Sequence, residues 1–124
     1  GHGGVVSRLL LVDDNDGVRL AMSAVLEDEG FLVDTAASFA EGSRKIAAAE
    51  VRYSVALLDR HLPDRPGTDL VPLLRARHPE ALIVLLSGSS SDEPTGDFDA
   101  AFDKGGALDE LLALLRRVHP GQAR

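Results

Sequence analysis

No cysteine occurs in the chain of 124 residues, which excludes disulfides, thiolate metal sites and cysteine nucleophiles together. That absence fits a reducing compartment, so a cytoplasmic location is expected. No apolar run approaches the roughly 20 residues that span a bilayer. The opening Gly1-His2-Gly3-Gly4 lacks the charged and apolar regions of an export signal. Residues 1–6 therefore read as a disordered tag or linker, 7–118 as one domain and 119–124 as a frayed tail. Basic residues are also scarce, and the net charge of -7 works against contact with the phosphate backbone of nucleic acids. Neither nucleic acid nor a membrane is an expected partner. With aromatics at 4% and no Gly-x-Gly-x-x-Gly after the first apolar run, flavin and dinucleotide binding lose their usual sequence support.

What is present is a repeating alternation. Arg8-Leu9-Leu10-Leu11-Val12 ends abruptly in Asp13-Asp14-Asn15-Asp16-Gly17, as a buried strand followed by a turn would. Val18, Ala21, Met22 and Val25 then recur at helical spacing before Gly30. A partly alternating stretch over 31–36 suits an edge strand, and Ser38 caps a helix expected to run to about residue 50. The apolar run 54–58 ends in Asp59, and a loop with Pro63, Pro66 and Gly67 leads into a helix over 68–78 that tolerates Pro72 near its first turn. A third apolar run over 81–86 ends at Ser87-Gly88. Residues 88–97 hold no aliphatic or aromatic side chain and read as a loop. A weak strand over 98–102 and an amphipathic helix over 107–118 close the pattern.

Strands alternating with helices imply right-handed βαβ units and an α/β fold. The most continuous apolar runs belong in the middle of a parallel sheet, which predicts a doubly wound, flavodoxin-like, five-stranded sheet in the order 2-1-3-4-5. In that order Asp13, Asp14 and Asp59 converge at the switch point between the first and third strands. Two like charges about 4 Å apart repel by roughly 4 kcal/mol at an effective dielectric near 20, so a cation belongs there. An all-oxygen donor set suits Mg²⁺, and Lys104 reaches the same edge. Three carboxylates balanced by a divalent ion and an ammonium would suit a transferring phosphoryl group. Ser87 can donate its hydroxyl to a phosphoryl oxygen, and Gly88 leaves room and presents a backbone N–H.

Asp13-Asp14, Asp59 followed by Pro63 and Gly67, Ser87-Gly88 and Lys104, in that order, resemble the receiver domains of bacterial response regulators, over residues 7–118. The resemblance implies that Asp59 accepts a phosphoryl group from a histidine kinase or phosphotransfer protein in a Mg²⁺-dependent reaction of a phosphorelay. It further implies that Asp14 ligates the metal directly and Asp13 largely through water. The backbone carbonyl of His61 is the implied third protein ligand beside Asp59, Ser87 the hydroxyl switch, and Lys104 the phosphoryl counter-ion. Such a protein is not an enzyme on other substrates; it catalyses only its own phosphorylation and dephosphorylation. It would lack an output domain of its own, whether free-standing or cut from a longer kinase or regulator.

Three departures from the family pattern stand out. Ala101 occupies the usual aromatic position, Gly105 replaces the proline after the lysine, and 17 positions separate Ser87 from Lys104, with no apolar stripe for the usual fourth helix. The family's fourth helix is expected to be shortened or absent. An adaptor that binds partners independently of phosphorylation is the alternative these departures raise. A small-substrate phosphohydrolase lacks support, because His61 stands where its second carboxylate would be. Without the fourth helix, an apolar groove between the 68–78 helix and the 98–102 strand is expected. A downstream protein would engage there and on the 107–118 helix, or a second copy would in a homodimer. His61 is expected to face solvent, and His78, before a proline, to end a helix.

Overall fold

In a computed structural model of the chain, the described residues are 7–48, 50, 52–88, 96–106 and 108–118. The expected tag over 1–6, the tail over 119–124 and positions 89–95 of the expected loop lie outside them. Five parallel strands form one sheet: β1 (Arg8–Val12), β2 (Leu32–Ala36), β3 (Tyr53–Asp59), β4 (Leu82–Ser87) and β5 (Ala100–Asp103), in the order β2-β1-β3-β4-β5. Among the described residues four helices flank it, α1 (Asp16–Asp28), α2 (Phe39–Ala47), α3 (Val71–Arg77) and α4 (Leu108–Val118).

The central strands are continuously apolar because both of their faces are covered. Side chains alternate across a strand, so each strand feeds two cores. Leu10, Val12, Ala56, Leu58, Ile83 and Leu85 pack with Ile46 of α2 and Leu74 of α3. Leu9, Leu11, Val55, Leu57, Val84 and Leu86 pack with Leu26 of α1 and Leu111 and Leu115 of α4. Register then brings the C-terminal ends of the strands to one edge: Val12 pairs with Ala36 and Leu58, Asp59 with Leu86, and Ser87 with Asp103.

Three expectations need correction. The helix expected to reach residue 50 stops at Ala47, because side chains from the end of α3 take its last carbonyls. His78 Nε2 donates to Ile46 O at 3.0 Å and an Arg77 guanidinium nitrogen to Ala47 O at 2.8 Å. The helix expected over 68–78 is a 3₁₀ turn, Gly67–Leu70, followed by α3, with Pro72 in the first α turn where a missing N–H costs little. The groove expected between α3 and β5 does not lay β4 bare: Ile83 and Leu85 are fully buried, and Phe98, which precedes β5, packs on the cluster they belong to. Among the described residues no helix stands between β4 and β5.

His78 ends α3 as expected, and it is buried. Its Nδ1 accepts the Tyr53 N–H at 3.1 Å. With Nδ1 an acceptor and Nε2 directed at a carbonyl, one neutral tautomer satisfies both partners and ties α2, β3 and α3 together.

Candidate functional site

The site is built at the C-terminal edge of β1, β3 and β5. Asp13 follows β1 directly and is fully buried, its own N–H donating to Ala36 O at 3.0 Å as though the strand continued. Its Oδ1 accepts the Asn15 N–H at 2.9 Å and its Oδ2 accepts from Lys104 Nζ at 3.0 Å. Asn15 caps α1, its side-chain oxygen accepting the Val18 N–H at 2.9 Å. Asn15, and neither Asp13 nor Asp14, thus caps the helix. Arg19, one turn into α1, donates to Asp13 O at 2.7 Å and pairs with Asp16, which holds the β1–α1 turn from outside.

Asp59 ends β3 with 3% of its surface exposed. Its Oδ1 accepts the His61 N–H at 3.2 Å and lies 3.4 Å from Lys104 Nζ. Carboxylate oxygens of Asp13, Asp14 and Asp59 all lie within 4.8 Å of one another, and Asp14 is the exposed member. Burial, together with the charge of Asp13 and the contact with Asp14, pushes the Asp59 carboxyl above its ordinary pKa. The His61 N–H and Lys104 only partly offset this. For Lys104 burial works to lower the pKa, but its bond to Asp13 and the charges of Asp59 and Asp13 outweigh it and hold the ammonium protonated.

Lys104 is held through its backbone as well, its N–H donating to Ser87 O at 2.8 Å. That bond seats Ser87 and Lys104 on adjacent strand ends. A Cβ added at Gly88 would meet no atom within 4 Å, so the space above β4 is open. Gly67 has the opposite role: a Cβ there would lie 1.7 Å from Asp59 O, because the loop folds back with Gly67 N–H donating to Arg60 O at 3.0 Å. The His61 side chain faces solvent as expected. Ala101 is exposed on the face of β5 that it shares with Leu85, while Phe102 turns towards α1 and α4. There Met22, Leu86, Phe102, Leu108 and Leu111 line an apolar cavity of about 190 Å³ beside Lys104.

Asn15, Arg19 and the α1 side of this edge were not singled out from the sequence. Asn15 had a readable signal, an Asn directly before a helical apolar pattern. Arg19 and the cavity had none, since both depend on how α1 lies against the sheet.

The donor set fits a hard divalent cation. Three carboxylates and one ammonium leave a net charge of -2 in a small volume, and every carboxylate atom on offer is an oxygen. Fold and site together define a doubly wound α/β domain with an acidic pocket at its switch point. The family model for the response regulator receiver domain matches residues 9–109, and the chain belongs to that family. Receiver domains act in two-component phosphorelay signalling, where they interact with histidine kinases or phosphotransfer proteins. The chain is 40% identical over 80 residues to the photosynthetic apparatus regulatory protein RegA of Cereibacter sphaeroides, covering 64% of this chain and 42% of that one. It is 29% identical over 120 residues to the acid tolerance regulatory protein ActR of Rhizobium meliloti, covering 92% and 60%. It thus spans about half the length of these relatives. A CheY-like receiver domain protein from Methanospirillum hungatei superimposes with a TM-score of 0.84 at 28% identity, over 95% of this chain and 97% of that one. No described helix is long and apolar enough to cross a membrane.

Proposed function

We propose that Asp59 is the phosphoacceptor and that Asp14, Asp59 and the His61 carbonyl ligate Mg²⁺, with Asp13 acting largely through water. The observation that carries this reading is the convergence of Asp13, Asp14 and Asp59 within 4.8 Å, with Lys104 paired to two of them. A carboxylate oxygen of Asp59 attacks the phosphorus of a phosphohistidine in line; the P–N bond breaks with its electron pair left on the imidazole, and an acyl phosphate forms. Bound Mg²⁺ would neutralise charge spreading over the phosphoryl oxygens. Lys104 stays protonated beside them, and Ser87 donates its hydroxyl to one of them, with Gly88 offering a backbone N–H in open space. Positioning and electrostatics supply most of the acceleration in such a transfer, which matches a site built of fixed charges. The chain catalyses only its own phosphorylation and the hydrolysis of its acyl phosphate, which resets it.

Incubation with Mg²⁺ and acetyl phosphate should add one phosphoryl mass, lost in Asp59→Asn. An unchanged mass while Mg²⁺ is demonstrably bound would sink the reading. The cytoplasm is the compartment proposed. A downstream partner would read the face of α3, β5 and α4, where Leu73 and Ala101 are exposed. Self-association there would appear as a phosphorylation-dependent doubling of mass in solution.

Ala101, exposed on β5 where the family usually carries an aromatic relay, favours a second reading: an adaptor whose partner affinity ignores phosphate. Partner affinity measured with and without a phosphate mimic separates the two, a large difference excluding the constitutive adaptor.

A further inference from the structure

The loop that follows Asp59 is held at its tip by an element that takes no part in the site. Both oxygens of Asp64 accept backbone N–H groups of α2, Oδ1 from Phe39 at 2.9 Å and Oδ2 from Ala40 at 3.0 Å. The neighbouring Arg65 places its guanidinium 4.5 Å from the centre of the Phe39 ring, while its Nε donates to Asp69 Oδ2 at 3.0 Å. Phe39 itself packs against the core shared by α2, α3 and the sheet, so the clip is anchored to the interior.

Part of the N-terminus of α2 is satisfied locally. Ser38 Oγ accepts the Glu41 N–H at 3.1 Å, and Glu41 Oε1 reaches back past the cap to accept the Ala37 N–H at 2.8 Å. The exposed Phe39 and Ala40 N–H groups could have bonded to water at little cost. A carboxylate 24 and 25 positions away takes them instead, and the two N–H groups hold that carboxyl below its ordinary pKa. What this contact adds is a tie between two segments.

The tied segment is stiff. His61 and Pro66 form a β-bridge, Gly67 N–H closes on Arg60 O at 3.0 Å, and His61 N–H donates to Asp59 Oδ1 at 3.2 Å. Asp64 and Arg65 lie at the tip of that closed loop, between the bridged residues, so a displacement of the tip is transmitted to His61. The place of α2 is set in turn by Gly42, where an added Cβ would lie 3.4 Å from Val12, the residue directly before Asp13.

We propose that the Asp64–Arg65 clip onto α2 is a positioning device for the phosphoacceptor site, holding the His61 segment in register with Asp14 and Asp59 so that divalent-metal affinity depends on it. This rests on the reading that Asp14, Asp59 and the His61 carbonyl hold the metal. Asp64 acts through His61 and is a positioning residue, comparable in effect to the outer groups that orient metal ligands elsewhere.

The test is Mg²⁺ titration by isothermal calorimetry on the whole chain, with thermal melting alongside. Asp64→Ala should weaken Mg²⁺ binding on the order of tenfold, and Asp64→Asn, which keeps one acceptor oxygen, should recover part of that loss. Ser38→Ala removes a cap from the same helix without touching the loop; it should lower the melting temperature and leave Mg²⁺ affinity unchanged. Unaltered affinity in Asp64→Ala, or equal weakening in Ser38→Ala, overturns the proposal alone. Failure of the unsubstituted chain to bind Mg²⁺ overturns the metal-site reading and this proposal with it.

Discussion

Asp59→Asn should stabilise the metal-free protein at neutral pH. Asp59 faces two carboxylates with oxygens within 4.8 Å, each pair repelling by about 3.5 kcal/mol or more at an effective dielectric of 20. Lys104 Nζ at 3.4 Å returns about 5 kcal/mol of attraction on the same scale. The balance is roughly 2 kcal/mol against the ionised carboxylate, before the cost of burying it. Asparagine removes the charge and keeps an oxygen to accept the His61 N–H. A gain of about 1–2 kcal/mol, or on the order of 5 °C in melting temperature, is therefore expected without Mg²⁺. The sign with pH follows from the raised pKa of Asp59. A carboxyl whose folded pKa lies above its unfolded value penalises the fold as pH climbs from about 3.9 through the folded value. The advantage of asparagine should then be absent below that window and complete at neutral pH. Mg²⁺ should raise the melting temperature of the unsubstituted chain more than that of the variant, since a metal-binding carboxylate is lost. Calorimetric melts over a pH series, with Mg²⁺ and with chelator, measure all three effects. A variant that melts below the unsubstituted chain at neutral pH in chelator would refute the electrostatic argument.

Lys104→Met removes the ammonium paired with Asp13 and Asp59, so Mg²⁺ should bind more tightly while phosphorylation from acetyl phosphate slows tenfold or more; calorimetry and intact-mass kinetics read the two effects separately. Gly67→Ala would set a Cβ 1.7 Å from the Asp59 carbonyl oxygen, so either the loop moves or folding fails, at a cost of about 3 kcal/mol or more in a denaturant melt. His78→Ala deletes a buried ring and strands the Tyr53 N–H and Ile46 O, costing about 2–4 kcal/mol with little change in Mg²⁺ affinity, because His78 meets β3 at Tyr53, the opposite end from Asp59.

Periodicity and the places where apolar runs stop carried most of the fold. Leu9 to Val12, Val55 to Leu58 and Ile83 to Leu86 are continuous because strands buried on both faces have no polar positions, and that ranking alone ordered the sheet. Asp13, Asp14, Asp59 and Lys104 were legible for a related reason: in a parallel sheet of this order, residues just beyond the strands share an edge. Element ends were less legible. The stop of α2 at Ala47 depends on Arg77 and His78, 30 and 32 positions away from the carbonyls they take, and no local pattern encodes that.

The linear sequence by itself determined the alternation of strands and helices and the chemical types gathered at the switch point. Those depend on hydrophobic period and on which residue follows each strand. Tertiary structure alone decided how far apart the charges lie, that Asn15 rather than an aspartate caps α1, that Phe98 packs on the core beside β4, and that Asp64 reaches across to α2. Each of these is a contact between segments, fixed by packing geometry and by the need of particular N–H and C=O groups for partners.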